Sequence, residues 1–224
     1  MYGLALDTSN KLQLALLKDG VIIDSFSMAE RINISDVLLQ YISNMLNRNQ
    51  IILRDLNFIA LINGAGYFTG VRIAIVVAKV LHLALNIPVF TFSASFVMFK
   101  EAAQDSFVVA AVDIGKRGCV IAVFHENKQI IADIYIDEDD LENFFKQNEV
   151  LCKILPENFM FVGNKQSLFK EISYFKSAAY LQNITAPSMK ILGDEAVYLY
   201  DSGKFMTNIE PLYAKEVDMI IKDK

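Results

Sequence analysis

The first third of the chain alternates between apolar and polar positions in two different rhythms. Residues 3–7, 12–18 and 21–28 carry period-two or continuous apolar runs, which predicts three strands. Turn residues separate them: Thr8-Ser9-Asn10 first, then Asp19-Gly20. Two successive hairpins predict an antiparallel start to a sheet. At 35–48 the rhythm becomes helical, with Val37, Leu38, Tyr41, Ile42, Met45 and Leu46 on one face and Asn33 as N-cap, answered by Asp36. A strand at 58–62 then leads through Asn63-Gly64-Ala65-Gly66 into a long helix that ends near Asn86, with Thr69 as its expected cap. A strand at 88–92 and a helix at 93–103 follow.

A boundary is expected near Gln104-Asp105-Ser106, which divides the chain into domains 1–104 and 105–224. Past it, strands at 107–113, 119–125 and 129–136 repeat the strand–turn–strand opening of the first half. That echo hints at internal duplication. Shorter elements follow at 137–146, 159–163 and 189–202.

The helix of 69–86 is apolar on nearly every side, so it must be covered on more than one side. Arg72, Lys79 and Asn86 share one narrow stripe. Gly70, Ala74 and Ala78 recur every four residues, a spacing that allows another helix to approach closely. The expected partner surface therefore combines Gly70, Ile73, Ala74, Val76, Ala78 and Val80 with Val37, Tyr41 and Met45 of the preceding helix. The apolar core of this stretch, residues 73–85, is interrupted by Lys79 and His82 and reads as too short for a membrane span.

Composition sharpens this picture. Of 224 residues 54% are hydrophobic, and the mean hydropathy is +0.33, an excess that suits a partner face or a deeply buried sheet. The net charge is −5, without a run of Lys and Arg, so an RNA-binding role for this chain alone is not expected. Cys119 and Cys152 read as free thiols of a reducing cytosol, and residues 1–6 show no leader pattern.

Two segments carry candidate chemistry. Asp7, Thr8 and Ser9 put a carboxylate and hydroxyl donors in the first hairpin turn, where such groups can meet phosphate and a cation's water, or can simply be good turn formers. Gly64, Gly66, Thr69 and Arg72 stand between strand and helix, where an anion could sit at the helix N-terminus, or where the loop could be only a tight connection. The loop is not of the Walker A type, since no Gly-Lys-Ser/Thr closes it. The two histidines, His82 and His125, are too far apart for a metal pair, and no Ser/His/Asp or Cys/His set can be assembled. The rival to a scaffold is a small ATP-dependent kinase or ATPase using Asp7, with Asp113-Ile114-Gly115 as a second phosphate loop.

Residues 64–73, Gly-Ala-Gly-Tyr-Phe-Thr-Gly-Val-Arg-Ile, resemble the Gly-Pro-Gly-Ser-Phe-Thr-Gly-Leu-Arg-Ile signature of the TsaB (YeaZ) family. The opening Leu-Ala-Leu-Asp-Thr-Ser, Ser35-Asp36-Val37-Leu38-Leu39, the 88–95 segment, Asp113 with Lys116-Arg117-Gly118, and Glu210-Pro211-Leu212-Tyr213 resemble family motifs in order. Ala65, Tyr67 and Ala74 depart from the family's Pro, Ser and frequent Gly, and Ile34 from a common His. The resemblance implies an actin-like (ASKHA, ribonuclease H-like) α/β fold of two related lobes, the second reduced. It implies a cytoplasmic, non-catalytic subunit that binds a TsaD-type threonylcarbamoyltransferase through the helices of its first lobe. A TsaE-type ATPase joins that cycle, tRNA is met only through the complex, and the chain alone forms a homodimer. No metal and no cofactor of its own are implied, with ATP or ADP the candidate nucleotide of the complex.

Overall fold

Two hairpins start the chain because the residues between the strands accept the left-handed backbone that tight turns need. Asp19 and Gly20 both have positive φ, 49° and 80°. In this computed structural model, which describes residues 1–28, 33–102, 106–205 and 209–216, the hairpins join β1 (Tyr2–Asp7), β2 (Leu12–Lys18) and β3 (Val21–Met28). Helix α1 (Ile34–Arg48) crosses to β4 (Leu56–Gly64), and α2 (Phe68–Leu85) crosses to β5 (Val89–Ser93). The sheet order is β3-β2-β1-β4-β5, antiparallel among the first three strands and parallel from β1 through β4 to β5.

Alternation along the central strands sorts the side chains onto two faces. Leu4, Leu6, Leu14, Ile59 and Leu61 share one core with Leu38, Ile42 and Met45 of α1 and Ala74, Ile75 and Ala78 of α2. The opposite face carries Leu17 and Phe58, and a later helix packs there, as described below.

The second unit has its own core. Helix α3 (Ala94–Glu101) precedes β6 (Phe107–Val112), β7 (Cys119–His125) and β8 (Lys128–Ile136). Short helices and strands alternate after them: α4 (Leu141–Gln147), β9 (Phe159–Val162), α5 (Ser167–Lys170) and β10 (Ala179–Tyr180). The sheet runs β10-β9-β6-β7-β8 and ends on β11 (Lys215–Glu216). Leaving β11 aside, strand order and strand directions repeat those of the first unit. The duplication hinted at by the sequence is thus present in the topology. Phe145, Phe159, Phe161, Phe169 and Phe175 fill this second core.

The division between the units is not a single cut. One unit comprises 1–93 and 187–212, the other 94–186 and 213–224. The boundary read from sequence at 104/105 comes one helix later, and Gln104 and Asp105 lie outside the described residues. Helix α3, read as the end of the first lobe, packs on β6 and β7, where Phe99 stacks on Phe124 at 4.6 Å. Helix α6 (Met189–Asp201), read with the second lobe, packs on β1, β2, β4 and β5. There Gly193 meets Leu17, and Tyr200 lies 5.7 Å from Phe58. Each unit therefore carries the helix that follows the other unit's fifth strand, β5 or β10.

Candidate functional site: the first hairpin turn and the outer side of α2

The two segments singled out in the sequence come together, and they bind each other. Asp7 closes β1 and is completely buried, 0% exposed. The Ser9 backbone N–H donates to Asp7 Oδ1 at 2.7 Å, and Gln13 Nε2 donates to Oδ2 at 3.2 Å. Burial pushes the Asp7 carboxyl above its usual range, and the bonds from Ser9 and Gln13 partly oppose this. The Thr8 hydroxyl donates to Gly70 O at 2.7 Å. Ser9 O accepts from the Tyr67 N–H at 2.6 Å.

Glycine permits this contact. A β-carbon at Gly70 would sit 2.0 Å from Thr8 O, and one at Gly66 would sit 2.6 Å from Ser9 O. The Tyr67 N–H and the Thr8 hydroxyl, two donors of the candidate anion site, are thus taken up by backbone carbonyls of the chain itself, and a hollow of about 260 Å³ lined by Thr8, Asn10, Lys11, Tyr67, Thr69 and Gly70 lies beside them. At the loop's other end Gly64 meets the carbonyl of Leu212, 2.5 Å from where its β-carbon would stand.

Helix α2 starts at Phe68 with Tyr67 as N-cap, so Thr69 lies inside the first turn and is not the cap. The Tyr67 N–H is held by Ser9, so a tertiary contact sets the start of the helix ahead of Thr69. At α1, Asn33 does occupy the N-cap position, but its side chain makes no cap bond. It donates to Asp36 Oδ2 at 2.8 Å instead.

Several residues of the expected partner surface belong to the lobe's own core. Gly70, Ala74 and Ala78 are buried against the sheet, so their small size serves helix-on-sheet packing. Met45 is also core, and Tyr41 stacks on Phe26 of β3 at 4.3 Å. Val37 and Ile73 are half-buried against the same core. Val76 and Val80 are outward, 59% and 58% exposed. Sequence reasoning missed the neighbours that extend this outer side: Phe68, Leu83 at 80% and, from α1, Leu39 at 60%. Helical phase could have found them. At 100° per residue, Val76 and Leu83 fall beside Arg72 and Lys79, and Gly70 and Ala74 fall opposite.

Arg72 lies over the Phe68 ring, 3.7 Å from its centre. The pair borders a hollow of about 450 Å³ that Ser35, Ile73, Val76 and Val77 also line. By length and composition the whole of α2, longer than the 73–85 stretch read as too short, could cross a membrane, but it is built into the first unit as the crossover between β4 and β5. Among the described residues no three His, Cys, Asp or Glu side chains converge as a metal site. His82 Nδ1 is 2.7 Å from Ile87 O, and His125 stacks on Phe107 in the other unit.

The repeated strand order and the exchanged helices define an actin-like α/β protein of two lobes. The TsaD family, described as tRNA N6-adenosine threonylcarbamoyltransferase, matches residues 31–208. The chain belongs to the TsaB/YeaZ family. It is 28% identical to the tRNA threonylcarbamoyladenosine biosynthesis protein TsaB of Buchnera aphidicola subsp. Baizongia pistaciae, over 80% of this chain and 82% of the relative. Against the protein of the same name in Bacillus subtilis the identity is 26%, over 77% and 75%. YeaZ from Pseudomonas aeruginosa shares the fold with a TM-score of 0.68 at 23% identity, over 95% of this chain and 99% of that one.

Proposed function

We propose that this chain is a non-catalytic subunit of tRNA threonylcarbamoyladenosine biosynthesis that binds and activates a TsaD-type threonylcarbamoyltransferase. The observation that carries the reading is the outer side of α2. Val76, Val80 and Leu83 are exposed on a helix that has already covered the sheet with its inner side. Covering each of them is worth about 1–2 kcal/mol, which favours a protein partner over solvent. The names of the relatives supply the pathway, and the family match supplies the class of partner. Without that partner the same face pairs two copies of the chain. A TsaE-type ATPase, ATP or ADP, and tRNA enter through the cytoplasmic complex, because a chain of net charge −5 lacks the basic footprint that would hold tRNA by itself.

The kinase reading is disfavoured by the turn itself. The Asp7 carboxylate faces inward and both its oxygens are engaged by Ser9 and Gln13. Asp113-Ile114-Gly115 likewise closes on itself, with the Gly115 N–H donating to Asp113 Oδ1 at 2.9 Å.

The test compares tRNA modification by a purified TsaD-type protein with and without this chain, ATP and the other components being supplied. Stimulation that Val76→Asp abolishes is the expected result. ATP turnover by the chain alone that Asp7→Asn removes would instead establish the kinase.

A further inference from the structure

The C-terminal motif Glu210-Pro211-Leu212 has no part in either sheet, yet it is tied to the loop from which α2 starts. Asn63 grips it at two points: its carbonyl accepts from the Leu212 N–H at 2.7 Å, and its Nδ2 donates to Glu210 O at 3.0 Å. Ile209, just before it, is buried in the first unit's core. Gly64 lets the Leu212 carbonyl lie against the loop backbone, where a side chain would collide.

The loop of residues 63–70 is therefore walled on two sides by different kinds of structure. The turn of Asp7, Thr8 and Ser9 belongs to the central hairpin and is anchored by the sheet. The 210–212 strap is held by Ile209 and Asn63. The loop delivers Phe68, and one turn later Arg72, to the rim of the hollow on the outer side of α2.

We propose that Asn63 and the 210–212 strap are positioning elements for the partner face: they hold this loop and so fix where Phe68 and Arg72 meet a partner. The proposal rests on the partner reading above and adds to it a control point outside the contact surface. Neither Asn63 nor the strap needs to touch the partner. Their effect is transmitted through the backbone of the loop and the first turn of α2.

Two substitutions remove the grip in different ways. Asn63→Ala deletes the side-chain donor to Glu210, and Leu212→Pro deletes the N–H that reaches Asn63. Both are compared with Val76→Asp, which acts on the face directly. Three quantities are measured on the full chain: melting by circular dichroism, hydrogen exchange of peptides covering 63–72, and calorimetric affinity for the purified TsaD-type protein at a temperature where every variant is folded. Exchange of 63–72 is expected to quicken by about tenfold or more, and affinity to fall by about three- to tenfold, in both strap variants. A merely stabilising strap would lower the melting temperature and leave affinity unchanged, and that outcome overturns the proposal if Val76→Asp has lost binding. If Val76→Asp binds normally, the partner reading itself is wrong, and the role given to the strap falls with it. Should Leu212→Pro not fold, Asn63→Ala decides, since it removes a single exposed side-chain bond.

Discussion

Thr8 and Gly70 hold each other at two points: the Thr8 hydroxyl donates to Gly70 O at 2.7 Å, and Thr8 O fills the space that a side chain on residue 70 would need. This contact joins the first hairpin to α2. Gly70→Ala must push apart two backbone segments, since the obstructing atom is a carbonyl oxygen 2.0 Å away and not a flexible side chain. The expected cost is about 1–3 kcal/mol, or roughly 3–10 °C in the melting of a chain of this length. A melt indistinguishable from that of the unsubstituted chain would show that the two segments are not in contact.

Asp7 gives the first unit a pH dependence of definite sign. Burial raises its folded-state value above the ordinary 3.8, so the folded state binds the proton more tightly than the unfolded chain does. Its contribution to stability is present below the unfolded value and is lost as pH rises through the raised folded value. Asp7→Asn retains the acceptor for the Ser9 N–H and removes the titration. The melting temperature of the variant, relative to the unsubstituted chain, should therefore climb between pH 4 and pH 8. Subtracting the two curves cancels Asp133, whose carboxyl is also raised by burial and accepts from Ser95. A difference that shrinks toward pH 8 would contradict the assignment.

In the second unit Phe145 stands amid other rings, 4.9 Å from Phe175, 5.7 Å from Phe159 and 5.8 Å from Phe169, each in edge-to-face contact. Phe145→Ala should cost about 3–5 kcal/mol by leaving a cavity among rings. The two units have separate cores, so hydrogen exchange should rise across β6–β9 while β1 and β2 keep their protection. Equal loss in both would mean that the cores unfold as one.

The sequence made the hairpin strands legible almost to the residue, because Asp19-Gly20 and Glu126-Asn127 adopt positive φ and their flanks alternate cleanly. It concealed the return of α6 to the first sheet, since amphipathicity says that a helix is covered but not by which sheet. The two-residue strands β10 and β11 are too short for any period to register. At the candidate site, the pairing of the Asp7 turn with the glycine loop was hidden because Thr8, Ser9 and Gly66 would look the same whether they met phosphate or one another. The inward side of Gly70, Ala74 and Ala78 was readable in principle. Arg72 and Lys79 mark the wet side of α2, and the small residues lie across the helix from it.

That geometry separates two substitutions on one helix. Ala78 is completely buried in the first unit's core, and Val80, two residues on, is 58% exposed. Ala78→Arg drives an unpaired charge and added volume against the sheet, at a cost of about 3 kcal/mol or more, and should leave the first unit unfolded or insoluble. Val80→Arg places its guanidinium in water and should change stability by no more than about 0.5 kcal/mol. In a partner complex or a homodimer built on the outer side of α2, the same arginine would be buried without a counter-charge, so assembly should be lost. Circular dichroism and light scattering together read both effects. A folded Ala78→Arg protein would place the small stripe outward after all, and a folded Val80→Arg protein that still assembles fully would move the interface off this side of α2.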